Sequence, residues 1–419
     1  MSVLQLDPLA NENAEAALAH ARQGQPGPVL IVGGGIGGLA AALALARRGI
    51  PSQVLERRPA FHEEGAGIQI GPNGTRILRR LGVADELRPH VGVPDALSVR
   101  DGRTGAEIAK LPLGRWIAMR HGAPYWVAHR KDLHAALLHA VRTEPLIALS
   151  MGFSASEVAS GNGHVAVAAE SGEAWSGRAL IAADGIWSPL RSLLFDATRP
   201  RFCGKSAARS VVPLDALPAD FQRNETTIWL FANTHVVHYP VCGGTELAIV
   251  VVLDDLHDSS DWSAPVPPFW IQQSMPPCAE PLQALILEAR TWKRWALHTL
   301  PVPRQWAHGS IALLGDAAHP MLPFLAQGGV MALEDATVIA DALHRYIDDV
   351  PAALRWYQRQ RRPRVQRVVR ASRRNGRIYH LAGPAALARN FVLRKLPAQR
   401  LMARYDWLYG WRPIETTSQ

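Results

Sequence analysis

The feature that most constrains this chain is a glycine cluster set between a strand and a helix. Val29-Leu30-Ile31-Val32 is a short, apolar, largely β-branched run that reads as a buried strand. Gly33-Gly34-Gly35-Ile36-Gly37-Gly38 follows it, and then a run of strong helix formers from Leu39 to Ala46. Arg47, Arg48 and Gly49 stand where such a helix stops. Residues 53–56 make a second strand that ends on Glu56, so the segment is a βαβ unit. In this unit Gly33 permits the tight turn and Gly35 lets the backbone approach a pyrophosphate without a Cβ clash. Gly38 lets the helix pack closely on the sheet. The first helical turn, with Ile36 and Gly37, offers free N–H groups and a positive dipole end to phosphates. Glu56, about 20 residues on and followed by Arg57, is placed to accept from ribose hydroxyls. This pattern serves FAD and NAD equally.

Beyond it the chain alternates between two styles. Residues 96–101 and 106–111 read as a hairpin around Asp101-Gly102, and 131–141 as a helix. A second hairpin is expected over 164–169 and 174–183, turning at Ser171-Gly172. Strands follow at 226–231, 236–241 and 247–253. Residues 254–278, rich in Asp, Ser and Pro, read as loop. A strand at 311–314 leads to a long helix over 328–347, and the chain after Pro351 is helical and arginine-rich. Parallel βαβ segments and a mainly antiparallel middle section are interleaved. A nucleotide-binding domain assembled from separated pieces, with a sheet domain inserted, follows from that order.

Two later motifs sit at strand ends. Ala183-Asp184-Gly185-Ile186-Trp187-Ser188-Pro189-Leu190-Arg191 follows the apolar residues 180–183. Leu314-Gly315-Asp316-Ala317-Ala318-His319-Pro320 follows the strand at 311–314 and continues through Pro323-Phe324-Leu325-Ala326-Gln327-Gly328-Gly329 into a helix carrying Glu334-Asp335. An aspartate at a strand end can hold a ribitol hydroxyl. A Gly-Gly pair opening a long helix is a further dipole site, suited to the edge of a flavin ring.

Together, GGGIGG…LE, ADGIWSPLR and GDAAHPMLPFLAQGG…ALEDA resemble the single-component FAD monooxygenases of the p-hydroxybenzoate-hydroxylase fold. The closer likeness is to the branch with salicylate hydroxylase, 3-hydroxybenzoate 6-hydroxylase and 6-hydroxynicotinate 3-monooxygenase. It spans about residues 28–380, and Gly65-Ala66-Gly67-Ile68, His129-Arg130-Lys131-Asp132-Leu133 and His238-Tyr239-Pro240 add to it. The resemblance implies an α/β fold with a Rossmann-like FAD-binding domain of the glutathione-reductase type, an inserted, mainly antiparallel substrate sheet and a C-terminal helical segment. The expected divisions are an N-terminal extension (1–27) and a discontinuous FAD domain (28–95, 125–199 and 296–349). A substrate domain (96–124 and 200–295) and a C-terminal helical region (350–419) complete them.

By the same resemblance, Gly33, Gly35, Ile36, Gly37 and Gly38 line the pyrophosphate of a tightly bound FAD. Glu56 serves the adenosine ribose, Arg130 the pyrophosphate or ribitol side and Asp316 the ribitol, and Arg57 and Gly67 are counted among the cofactor-binding residues. Gly328 and Gly329 approach the isoalloxazine, and Asp184 belongs to a motif tied to both FAD and NAD(P)H. Many relatives carry an Asn after the glycine pair; here Val330-Met331 follows, which leaves the flavin's pyrimidine edge to the backbone. NADH or NADPH binds transiently, since one Rossmann fingerprint is visible. The implied reaction is hydroxylation of an aromatic substrate, resembling a hydroxybenzoate, salicylate or hydroxypyridine carboxylate, by O2 through a C4a-hydroperoxyflavin in a dry pocket. His235, His238 and Tyr239 are candidates for orienting that ring, although strand alternation puts His238 on the opposite face from the other two. Pro323 and Phe324 are candidates for an apolar ceiling, and His319 for a structural role. An epoxidase or N-hydroxylase, and a non-catalytic FAD-binding protein, are the alternatives on this scaffold.

Composition closes off other classes. Hydrophobic residues make up 48% of the 419, too many for a disordered chain. The net charge of +9 favours anionic partners, yet no nucleic-acid recognition module is present. Residues 355–377 read as a solvated, arginine-covered amphipathic helix. Three widely spaced cysteines, Cys203, Cys242 and Cys278, suggest neither a disulfide framework nor a metal site, and fit a cytoplasmic protein. No membrane span and no signal peptide are expected. A monomer or a homodimer suits the chain, and the aromatic segment 405–411 is expected to pack on the body.

Overall fold

The strand Val29–Val32 becomes a central member of a six-stranded sheet. The computed structural model describes residues 12–19, 27–61, 67–161, 163–195, 197–261 and 263–413. The sheet order is Ala307–His308, Ile311–Leu313, Ala179–Ala182, Val29–Val32, Ser52–Glu56 and Ile147–Met151. All neighbours run parallel except the edge pair Ala307–His308 with Ile311–Leu313. The three strands that precede the motifs are buried on both faces, which is why each reads as an unbroken apolar run. Helices Ile36–Ala46 and Gly328–Arg345 pack against each other beside this sheet.

A second sheet has eight strands, in the order Ala264–Val266, Trp292–Thr299, Arg201–Pro213, Glu246–Asp254, His235–Val241, Glu225–Leu230, Ala96–Asp101 and Glu107–Pro112. Only the pairing of Ala96–Asp101 with Glu225–Leu230 is parallel. A two-stranded ribbon, Gly67–Ile70 with Trp126–His129, lies between the two sheets in the chain's path. Helices Val350–Tyr379, Gly383–Lys395, Ala398–Ala403 and Asp406–Tyr409 close the molecule.

Three local expectations change. The segment 174–183 is not one hairpin arm. Ala174–Gly177 pairs with His164–Ala169, while Ala179–Ala182 crosses into the parallel sheet beside Val29–Val32. Residues 254–278 are not all loop, because Ala264–Val266 adds a sheet edge and Pro268–Ser274 forms a helix opened by Pro268. The arginine-rich helix is not wholly solvated: Arg361 is 1% exposed and turns into the core. Of the N-terminal extension, only Glu12–Ala19, a helix packed on the sheet containing His164–Ala169, and Gly27 are described. Gly65 and Ala66 lie outside the described residues. The aromatic tail packs as expected, with Tyr409 8% exposed. Among the described residues no helix is long and apolar enough to cross a membrane.

Candidate active site

The three motifs leave the carboxyl ends of three adjacent parallel strands, where open α/β sheets form their ligand crevice. Glycines let the loops touch. Gly33 has φ +109°, and a Cβ there would sit 2.4 Å from the Ala183 carbonyl oxygen, so the first and second motifs meet through it. A Cβ on Gly38 would fall 1.9 Å from the Gly33 oxygen, inside the turn itself. Gly35 is different: a Cβ would meet nothing within 4 Å. The protein therefore leaves open the position from which a backbone can approach a pyrophosphate, and the glycine loop fits the group expected there.

Polar contacts tie these loops down. Glu56 accepts from the Gly34 N–H at 2.7 Å through one oxygen and from the Arg58 N–H at 3.0 Å through the other. Each oxygen keeps lone-pair capacity for a ribose hydroxyl. Arg57 is exposed beside it. Arg191, at the end of the second motif, donates to the carbonyls of Ile186 at 2.9 Å and Ala317 at 3.2 Å, joining the second motif to the third. Asp184 turns back along its own loop and accepts from the Leu190 N–H at 3.3 Å; burial raises its pKa. It does not line the cleft described below.

That cleft, of about 240 Å³, opens between the loops and the eight-stranded sheet. Gly67, Arg130, Asp316, Gly328 and Gly329 line it, together with Gln327 at the start of helix Gly328–Arg345. The helix runs 18 residues and points its positive end at the cleft. The Asp316 carboxyl lines the cleft and is open to it. Desolvation by the surrounding protein, chiefly, holds its pKa up, while His319 and Arg130 pull it down. The third loop rests on a buried ionic cluster. His319 Nε2 lies 2.5 Å from Asp335, which also accepts from the Gly315 N–H and from Arg361 at 2.6 Å. Arg361 and Arg364 both donate to Glu334 at 2.6 Å. Asn73 donates to Glu334 at 2.8 Å and to Gln327 at 3.0 Å, which carries the fixed geometry to the cleft. His319 is thus placed in a structural role.

The sheet wall presents His235, Val237 and Tyr239, alternate residues of one strand, with Arg209 and Trp295 beside them. The Tyr239 hydroxyl lies so close to residue 67 that a Cβ there would come within 2.3 Å of it, so only glycine leaves it room. Burial keeps the Tyr239 phenol protonated well above its usual range. His235 Nδ1 is 2.8 Å from His380 Nε2. Burial first, and the neighbouring His380 second, depress the His235 pKa, and burial carries His380 down to about 4, so both rings are neutral near pH 7. His238 is not part of this wall. It faces the other side of the sheet, with Phe221 at 5.3 Å and Trp229 at 6.2 Å between ring centroids, and burial lowers its pKa to about 3. Phe324 is also displaced from the expected position. It lines a second, mainly apolar cavity of about 470 Å³, beside His235 and His380, whereas Pro323 borders both spaces. Gln69, His235, Val237 and Ala326 also border both, which makes the two spaces neighbours.

A family model described as an FAD binding domain matches residues 27–372. The chain belongs to the FAD-dependent aromatic monooxygenases. This monooxygenase is 37% identical to the 3-hydroxybenzoate 6-hydroxylase of Polaromonas naphthalenivorans (strain CJ2), over 92% of its own length and 96% of that protein. It is also 37% identical to the 3-amino-4-hydroxybenzoate 2-monooxygenase PtnB3 of Streptomyces platensis, covering 93% and 98%. Among solved structures it superposes on Klebsiella pneumoniae HpxO complexed with FAD and uric acid, with a TM-score of 0.80, 28% identity and 90% and 95% coverage. A salicylate hydroxylase substrate complex gives a TM-score of 0.78 at 26% identity, with 92% and 96% covered. The fold and the FAD requirement read from the motifs therefore hold. Gln327, Asn73, Arg209 and Arg361 are the residues of the monooxygenase that motif reading passed over. Only Gln327 had a signal, its place directly before the glycine pair; Ala326 takes a left-handed φ of +50° to turn it.

Proposed function

We propose that this monooxygenase hydroxylates a hydroxylated aromatic carboxylate, of hydroxybenzoate, salicylate or hydroxypyridine-carboxylate type, using NADH or NADPH and O2. The observation that carries the reading is the pairing of His235 and Tyr239 on the cleft face of the sheet, opposite Gln327 and the Gly328-Gly329 helix start. Hydroxybenzoate hydroxylases among the relatives support the substrate class.

Bound FAD would supply oxygen activation; the protein's part is binding, orientation and proton handling. Gly33, Gly35, Ile36, Gly37 and Gly38 would hold the pyrophosphate, with Glu56 and Arg57 on the ribose side. Gly67, Arg130, Asp316, Gly328 and Gly329 complete the set, and Asp184 would act by shaping the loop that meets Gly33. The apolar surfaces of the second cavity keep water from the ring. Neutral His235 shares Nδ1 with His380; in the tautomer that donates Nδ1–H, its Nε2 would accept a hydrogen bond from a phenolic hydroxyl and orient the ring. Protonated Tyr239 donates to substrate oxygen, and Arg209 is the cation on the same wall for a carboxylate. The same reading draws the cofactor domain from 28–95, 125–199 and 296–349 and the substrate domain from 96–124 and 200–295. It places the enzyme in the cytoplasm as a monomer or homodimer.

The test is a screen of hydroxybenzoates, salicylate and hydroxynicotinates that records NAD(P)H consumption, H2O2 release and product mass. One substrate should couple reduction to oxygen insertion. His235→Ala and Tyr239→Phe should shift the balance to H2O2 or weaken substrate binding while FAD stays bound. Unchanged coupling in both variants would remove this wall from the reaction.

A further inference from the structure

Behind the ribbon that leads into Arg130, three side chains meet that neither the cleft nor the second cavity uses. His129 ends strand Trp126–His129, is 2% exposed, and places Nε2 2.8 Å from Glu246 Oε2. Its Nδ1 is buried without a partner. Cys242 follows strand His235–Val241 and holds φ +52°, a region that residues with a Cβ seldom occupy. Glu246 opens the next strand, Glu246–Asp254. One ring nitrogen, one thiol sulfur and one carboxylate oxygen all lie within 4.8 Å of one another. Asp132, in the first turn of helix Arg130–Arg142, has a buried Oδ2 without a partner and is a nearby charge.

We propose that His129, Cys242 and Glu246 bind a zinc ion that fastens the ribbon to the substrate sheet. Nitrogen, sulfur and oxygen donors together suit zinc; calcium and magnesium take oxygen ligands, and a thiol is a poor one for them. Zinc bonds of about 2.0–2.3 Å place tetrahedral donors roughly 3.3–3.7 Å apart. That spacing lies between the 2.8 Å His129–Glu246 contact and the 4.8 Å limit of the cluster, so small side-chain rotations complete the site. On binding, the Cys242 thiol gives up its proton to solvent. The dication is then balanced by one thiolate and one carboxylate, so no net charge is left against the buried imidazole. Water fills the fourth position. None of the three ligands lines the cleft, so the ion is structural. It holds the turn three residues beyond Tyr239 against the residue before Arg130. The ligands are scattered over 118 residues of chain, and no short spacing motif announces them.

The experiment uses the FAD-loaded enzyme, stripped with a chelator and titrated with zinc chloride. One zinc per chain should bind, and zinc should protect Cys242 from iodoacetamide, read by peptide mass spectrometry, while labelling of Cys203 and Cys278 is unchanged. Cys242→Ser and Glu246→Gln should each weaken zinc binding by more than the roughly 10–100-fold that loss of an outer-sphere partner costs. The proposal falls if zinc leaves Cys242 alkylation unaltered, or if both variants bind zinc as tightly as wild type. The alkylation readout needs no variant, so a misfolded mutant does not decide the matter.

Discussion

Gly35→Val separates the cofactor site from the fold. Gly35 has φ −76° and ψ −178°, an extended conformation that valine adopts without strain. The space its Cβ enters holds no protein atom within 4 Å. The apo fold should therefore lose only about 1 kcal/mol, for a poorer helix N-cap. Unfolding entropy of about 2.1 cal/mol/K per residue gives roughly 0.9 kcal/mol/K over 419 residues, so the melting temperature of the apoprotein should fall by about 1 °C. FAD meets a different outcome. The side chain occupies the pyrophosphate's approach and displaces about two charge-assisted hydrogen bonds of roughly 1.5–3 kcal/mol each. At about 1.4 kcal/mol per decade, affinity should fall roughly 10²–10⁴-fold. Flavin-fluorescence titration of the apoprotein, beside a circular-dichroism melt, reads both. Gly33→Ala, at φ +109° and 2.4 Å from the Ala183 oxygen, should damage the fold as well. The reasoning is refuted if Gly35→Val binds FAD like wild type, or if its apoprotein melts as early as that of Gly33→Ala.

Two further outcomes follow from buried charge. Arg361→Met leaves Asp335 and Glu334 short of a buried partner and should cost about 3–5 kcal/mol. That is roughly 3–6 °C in a thermal melt by the same entropy, whereas Arg359→Ala, exposed on the same helix, should change it by less than about 1 °C. His238 should make stability depend on pH. Its folded pKa of about 3, lowered by burial and by Arg100, lies below the ordinary 6.5. Between these values the unfolded chain binds the extra proton, so stability falls as pH drops from about 6.5 to about 3 and is unaffected above. The full loss at the acid end is of order 4–5 kcal/mol at about 1.36 kcal/mol per pH unit. His238→Phe should flatten that part of a melting-temperature profile; an unchanged slope would place the acid sensitivity elsewhere.

The parts of the molecule that could be read from sequence are those where backbone chemistry allows few residues. Gly38 must be glycine for a contact inside its own turn and Gly33 for its left-handed φ of +109°, and Asp316 and Gly328-Gly329 stand just beyond a strand end. Strand alternation likewise separated His235 and Tyr239 from His238. What stayed hidden depends on which distant side chain faces which. Arg361 and its exposed neighbours look alike in a list of arginines, and only the meeting of two helices turns Arg361 toward Asp335. Asn73 reaches Gln327 across 254 positions. Phe324 was misplaced for the same reason: the left-handed turn at Ala326 and the packing of Gly376 against its ring move it behind the wall. The crossing of 174–183 from one sheet to another turns on Gly177 and Arg178, between two runs that each look like ordinary strand.

The most direct measurement is the flavin content of the purified protein, released by heat and quantified against chain concentration after reconstitution with FAD. Three strand-end loops that converge on one nucleotide predict a yellow protein holding one FAD per chain. A colourless protein that takes up no FAD would contradict that convergence and everything built on it.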